Sequence, residues 1–551
     1  MKNFFFLFWA LTISVNAFAF GGISKPQLDA RAAWLDAREY TTLTLAKNAA
    51  ITNTAPLHIS KNYNITTDTD LSAVPEIDFI GAGSFTVSNG VTLTLPPKIY
   101  AGHHSYILKG TGAVLIGSWS TGQAEVFVDW FGAKPDFAGI SAGVNTGTDS
   151  SAAIVKALSA IPSANIQSAK ISFNSGTYNC KMTGIVISKP VHIEGNGATL
   201  RWDDAFTGYG LDIKTAGGGS IIKDIKIMKE PYFGTTTAAS RTGVGVRFDS
   251  TQKWATYDLA VQGWGTGVTH YGITGGTSYG DHFKPRVMFN AVGMHFDSSD
   301  SEGAYCSGIT VHGGEVTAYG WTDYSAAYNV IVAQTNTHHT NNGIQFIGVV
   351  LEGKGTTTNV HRKVYDAGQH NSYINCYWDY TNSGTDVEFA ASSSYNSVIN
   401  GANLNGIVIL DNGSNNSVSG PGTGIVAAAG ISGVGFKIAT SYITQQHGIA
   451  APSGSASGNV YRAVYSGLMV SENSVVDFPA GKAGIIHISA GDEYGIFNVK
   501  TDGTITKISG STNIDSAATS GKFCVYKNGT NARLYNRLAG NVTVLATFDF
   551  I

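Results

Sequence analysis

One short pattern recurs three times in the middle of the chain: Asn371-Ser-Tyr-Ile-Asn375, Asn396-Ser-Val-Ile-Asn400 and Asn416-Ser-Val-Ser-Gly420. The copies start 25 and then 20 residues apart (396 − 371 and 416 − 396). Between them lie short apolar runs, Gly343-Ile-Gln-Phe-Ile-Gly348 and Gly406-Ile-Val-Ile-Leu410, each followed by turn-forming residues. A repeat of this length built from short strands and turns predicts a parallel β-helix, each repeat being one coil. No segment of helical period separates the strands, which excludes a doubly wound sheet with helical crossovers. The repeated Asn is then expected on equivalent turns, its side-chain amide bonding the backbone of the next coil.

Composition agrees with an all-β chain. Gly numbers 67 against 13 Pro, and charged residues make up only 13% of 551. The formal net charge of −3, with no Lys/Arg cluster, argues against nucleic-acid binding. Tyr (25) and Trp (9) supply flat faces of the kind that meet sugar rings. Cys180, Cys306, Cys376 and Cys524 are far apart with no CxxC pair, so inward-facing free thiols are expected rather than zinc or a disulfide framework. No metal and no cofactor is expected.

Residues 1–19 read as a signal-peptide-like or anchor segment: Lys2, an apolar run from Phe4 to Val15, then Ala17-Phe18-Ala19. Residues 20–127 read as a leading helix and β region. The helix is drawn from the periodicity of Leu28, Ala32 and Leu35, and short strands follow from Leu43-Thr-Leu45 to Ala113-Val-Leu-Ile116. Such strands form either a small β-domain or a first set of irregular coils.

At 128–178 the order of elements is distinctive. Val128-Asp-Trp-Phe-Gly-Ala133 is followed by a capped helix, Asp149 to Ile161, then the strand Lys170-Ile-Ser-Phe173 and the turn Ser175-Gly-Thr-Tyr178. This order resembles the start of the pectate-lyase-like right-handed β-helix superfamily, and especially of bacteriophage tailspikes and related secreted enzymes. The resemblance implies a right-handed parallel β-helix over 128–425, with the helix as an N-terminal cap on its open end. It implies nothing specific about substrate or reaction.

Polar residues concentrate between Asp281 and Tyr328, where aromatic rings are interleaved with carboxylates. Glycoside hydrolysis needs two carboxyl groups flanking the scissile bond. Glu315 and Glu352, both strand-borne, are the expected acid/base pair, and Glu302 and Asp323 the loop alternatives. Trp321, Tyr324 and Tyr319 are expected to stack on sugar rings, with Arg286 and His312 binding substrate. A lyase would instead remove an α-proton with a base among His282, Lys284, Arg286 and His312. Asp297-Ser-Ser-Asp300 matches a calcium site only weakly.

Residues 426–459 read as a Gly/Ala/Ser-rich exit and linker, and 460–551 as a C-terminal β-sandwich-like domain for trimerisation or carbohydrate binding. The functional expectation is a tailspike-like protein that binds and depolymerises a bacterial surface polysaccharide. It would act as a homotrimer on a virion tail or baseplate. The alternatives are a secreted bacterial polysaccharide lyase or glycosidase, which the first 19 residues favour, and a non-enzymatic carbohydrate-binding adhesin. Each of these places the protein outside the cell.

Overall fold

The computed structural model describes residues 34–117, 124–161, 169–229, 242–318, 326–352, 360–378, 386–399, 408–414, 416–419, 426–427, 461–469, 475–478, 483–490, 492–538 and 542–550. The expected signal or anchor segment and nearly all of the leading helix lie outside these residues. Leu35–Asp36 is a short strand and Ala37–Glu39 a 3-10 turn. The chain divides into two compact units, the first holding residues 1–136, 148–178 and 191–196 and the second the remainder.

The first unit contains three short parallel sheets that follow one another around small coils. Their registers stack Leu57, Ile77 and Ile99 on one side, Tyr63, Phe85 and Leu108 on the second, and Leu93 and Val114 on the third. The leading region is thus itself a parallel stack, the second of the two forms open from sequence. One element differs from expectation: Leu43–Asn53 is an α-helix, α1, where Leu43–Leu45 reads as a strand. Alternation over three residues is too short to decide. Thr42 caps the helix by accepting the Leu45 N–H at 3.2 Å, and Ala46 and Ala50 bury one face at helical spacing.

A second helix, α2 (Ser151–Ala160), packs on the edge strand Ala113–Ile116 and on the 3-10 turn Val128–Phe131. Ser150 occupies its cap position, one residue past the expected Asp149. The Asp149 carboxylate nevertheless accepts the Ser151 N–H at 3.0 Å. The two ends of the opening motif bond each other inside this unit. The Tyr178 hydroxyl meets the Asp129 carboxylate at 3.0 Å, and Asn174 donates to the same carboxylate at 2.8 Å.

In the second unit, rungs of two parallel sheets alternate along the chain, which is the order a parallel β-helix requires. The straight sheet runs through Val244–Asp249, Thr266–Gly272, Val292–Ser298, Ala326–Val332, Val360–Asp366 and Val387–Phe389. The split sheet has two strands per coil, as in Gly276–Phe283 with Arg286–Asn290 and Tyr305–His312 with Glu315–Ala318. Like residues stack inward in register: Val246, Val268, Met294, Val330, Val364, Val387 and Ile409 form one buried ladder. All four cysteines are free and buried.

The Asn repeat behaves as its spacing predicts. The Asn371 N–H donates to the Asn396 side chain and the Asn396 N–H to that of Asn416, both at 2.9 Å. One coil further back the Ile344 N–H donates to Asn371, and in a separate column the Cys306 N–H donates to Asn341. A second motif locks it. Asp366-Ala-Gly368-Gln-His-Asn371 and Asp411-Asn-Gly413-Ser-Asn-Asn416 each bond the Asn amide to an Asp, at 3.0 and 2.8 Å. Gly368 is required there, because a Cβ would lie 2.3 Å from the Asn341 carbonyl oxygen.

Two titratable pairs lie in the coil interior. Lys363 and Asp386 form an ion pair at 3.1 Å with side chains 1% and 2% exposed. Removing one partner leaves the other charge buried and uncompensated. Asp386→Ala is therefore expected to cost about 3–5 kcal/mol in chemical denaturation, with much of the loss restored by Lys363→Met in the same chain. Equal stability of Asp386→Ala and the native protein would contradict this. His270 and His282 meet Nε2 to Nε2 at 2.9 Å, both fully buried. His270 is stacked between Phe248 and Phe296, and His282 bonds the Thr256 hydroxyl at 2.7 Å.

The C-terminal strands form a five-stranded and a four-stranded sheet, mainly antiparallel. Ile486, Ile488, Phe497, Phe523, Leu534 and Phe548 belong to their shared core. This is the sandwich that the alternating strands predict.

Candidate functional site

From residues 255–262 onward the two strands of each split rung are joined by two residues, the first of them in the left-handed region. Asp224, Asp258, Lys284, Gly313, Gly348 and Asn375 occupy this corner on successive coils, with φ between 48° and 64°. Each N–H from Asp258 to Asn375 donates to a carbonyl of the following coil, as Lys284 does to His312 at 2.8 Å. The corner turns the chain in a single step and fixes which side chains face out beside it.

Just before the corner, Tyr257, Phe283, His312, Ile347 and Ile374 align in register on the outer face. The Phe283 ring stacks on Tyr257 and on His312 with centroids 4.8 Å apart in each case and planes within 7°. His312 Nε2 also lies 3.4 Å from the Asp281 carboxylate. Just past the corner, Lys226, Ala260, Arg286, Glu315, Val350 and Tyr377 form a second outward column.

Glu315 is half-buried, and burial pushes its carboxyl above the usual carboxylate range, against the opposing pull of the Arg286 charge. Glu352 lies on the next coil, on the same face. Its register partner is Thr317, two residues along from Glu315. One coil step and two strand residues put the two Cα atoms about 8 Å apart. The structure therefore brings Glu315, Glu352, Arg286 and His312 to one corner of the sheet.

It does not bring Glu302 there. Glu302 is exposed in the turn before Tyr305–His312, and that strand alone spans roughly 23 Å, so the two glutamates flank opposite ends of it. Tyr319, Trp321, Asp323 and Tyr324 lie outside the described residues. Asp300 is held by Thr337 and Asp297 by Thr335 and Ser298, so each serves to tie one turn to its neighbour. Among the described residues no group of three or more His, Cys, Asp or Glu is placed to hold a metal ion.

The lyase alternative loses one of its bases. His282 points into the coil interior, fully buried, and burial lowers its imidazole to about 3. A side chain closed off from solvent cannot reach a polymer on the outer face. His282 and Lys284 are two residues apart, but the period-2 alternation ends at the corner, where Lys284 takes φ +50° and is exposed. The sequence pattern hid this break.

No family model and no curated protein matches the chain. Solved structures do match. ORF18 of Geobacillus virus E2 shares 13% identity over 70% of this chain and 76% of its own, with a TM-score of 0.40. The enzymatically active domain of tailspike protein 2 from bacteriophage CBA120 shares 10% over 78% and 79%, at 0.32. Tailspike gp49 of Acinetobacter baumannii bacteriophage Fri1, a capsular polysaccharide depolymerase, shares 10% over 94% and 86%, at 0.15. Two of the three carry tailspike in their names, and each matches this chain at a TM-score below 0.5. At these identities the likeness concerns the fold.

Sequence reading passed over Tyr257, Phe283 and Lys226, which share the outward columns with the expected residues. The available signal is spacing: Tyr257, Phe283 and His312 each precede a corner residue, and Ala260, Arg286 and Glu315 each follow one by two. It becomes readable only once the corner column is known.

Proposed function

We propose that the chain is a tailspike-like protein that binds a bacterial surface polysaccharide and cleaves its glycosidic bonds. The observation that carries this reading is the pair of carboxylates on one outward face. Glu315, whose carboxyl burial raises above its ordinary range, serves as the acid; Glu352, one coil on, serves as the base. The Tyr257–Phe283–His312 stack lies alongside on the same outward face. The separation of the two carboxyl groups decides the outcome: about 5–5.5 Å gives retention and about 6.5–9.5 Å inversion at the anomeric carbon.

The assembly proposed with this activity is a homotrimer carried on a virion tail, in which the long outer flanks of the coils pack together. The test is product analysis on purified surface polysaccharides. New reducing ends should appear without unsaturated, ultraviolet-absorbing ends. Unsaturated products would replace hydrolysis by elimination, and no cleavage of any polymer that binds would leave a carbohydrate-binding adhesin. Light scattering on the same preparation should give three times the chain mass.

A further inference from the structure

The column that holds Glu315 carries two cations on earlier coils, Lys226 and Arg286, with Ala260 between them. Among the described residues, neither Lys226 nor Arg286 forms an ion pair or a side-chain hydrogen bond, Glu315 included. Four other cations of this unit are held by carboxylates: Lys214 meets Asp212 and Asp249, Arg247 chelates Asp212, Lys363 meets Asp386, and Arg362 meets Glu388. Lys226 and Arg286 share one column, and the nearest carboxylate in it is Glu315, one coil past Arg286.

Their surroundings favour a ligand over solvent alone. Lys226 is half-buried, and its ammonium is held below its ordinary range by burial first and then by the positive charges of Arg286 and Arg201. Ala260, itself buried, places only a methyl group between the two cations, which are about 10 Å apart at the backbone. Gln262, two residues along from Ala260 on the same strand, is 9% exposed and its amide oxygen is buried without a partner. Two cations with only a methyl group between them are the complement of an anionic sugar substituent.

We propose that the Lys226–Ala260–Arg286 column binds an anionic substituent of the sugar chain, so that the polymer recognised is an acidic polysaccharide. The guanidinium of Arg286 takes the anionic group in a forked contact, and Lys226 adds a point charge behind it. The inference rests on the proposed function in placing the polymer on this face, and it sets the charged residue beside the bond that Glu315 would protonate. Carboxylate, sulfate and phosphate substituents share this chemistry.

The test reads binding and not cleavage. The full chain and its Glu315→Gln variant are run in native gels containing alginate, heparin, a phosphorylated mannan or neutral dextran. At least one acidic polymer should retard both proteins and dextran neither, and the retarding polymer identifies the substituent. Arg286→Gln, at an exposed position, should weaken retardation about tenfold or more, and Lys226→Gln similarly, with Lys226→Arg restoring it. The proposal is overturned if no acidic polymer retards the protein, if dextran does so equally, or if retardation survives both substitutions together. Intact cleavage in Glu315→Gln would sink the catalytic assignment and leave this one standing.

Discussion

Glu315→Gln is expected to slow depolymerisation about 100- to 10,000-fold while the folded chain keeps its melting temperature and its hold on the polymer. The amide is close in shape to the protonated carboxyl but has no proton to transfer. Glu315 projects from the outer face and makes no ion pair among the described residues, so little structural loss should follow. Glu352→Gln should have an effect of similar size. Glu302→Gln should have none, since Glu302 sits at the far end of the adjoining strand. A pH profile adds a finer reading. A general acid works only while protonated, so activity should fall as pH rises through the raised Glu315 value. Arg286→Gln, by removing the charge that pulls this value down, should move that limb to higher pH. Full activity in both Glu315→Gln and Glu352→Gln would remove the pair from catalysis.

The coil architecture was legible because the Asn repeat is a backbone requirement written in side chains. Asn371, Asn396 and Asn416 satisfy each other's chain across coils, so their spacing reports the coil length directly. The corner beside the candidate site was not legible, although it is as regular. Asp, Lys, Gly and Asn all occupy it, because the hydrogen bond of each N–H to the following coil, and not the side chain, holds the left-handed conformation. Without the corner, the parity of His282 against Lys284 and Arg286 could not be read, and an interior His was taken for a surface base. Crowding in sequence misled in the same way for Glu302: thirteen residues separate it from Glu315 (315 − 302), but eight of the intervening residues form an extended strand. Glu315 and Glu352 were read correctly as strand-borne, and their common face follows from register.

Acid is expected to destabilise the coils strongly between pH 6.5 and 4, through the His270–His282 pair. Burial lowers His282 to about 3 and His270 well below its ordinary value, the latter also repelled by His282. Both rings are neutral in the fold and would charge on unfolding, so the unfolded chain binds more protons below the unperturbed value near 6.5. Stability should then fall as pH falls, by about 1.4 kcal/mol per pH unit for each ring, until the folded-state value is reached. The groups facing the pair offer no counter-ion: Phe248, Trp254 and Phe296 stack on the rings, and Thr256 is neutral. Buried Asp366, in the same coils, opposes the trend. Asp366 is raised by burial to about 6, despite bonds from Gly368, Tyr373 and Asn371 that favour its ionised form. Its contribution is fully present below the unfolded value near 3.8 and is lost as pH rises through about 6, so it adds stability over part of the same range. Two rings with larger shifts outweigh one carboxyl, and the net slope should remain destabilising toward acid. His270→Phe with His282→Leu extends the Phe248–Phe296 stack and removes both titrations. In thermal melts from pH 7 to 4.5 that double variant should lose most of the acid sensitivity of the native chain, and Asp366→Asn should steepen it. An unchanged acid slope in the double variant would assign the sensitivity to other groups.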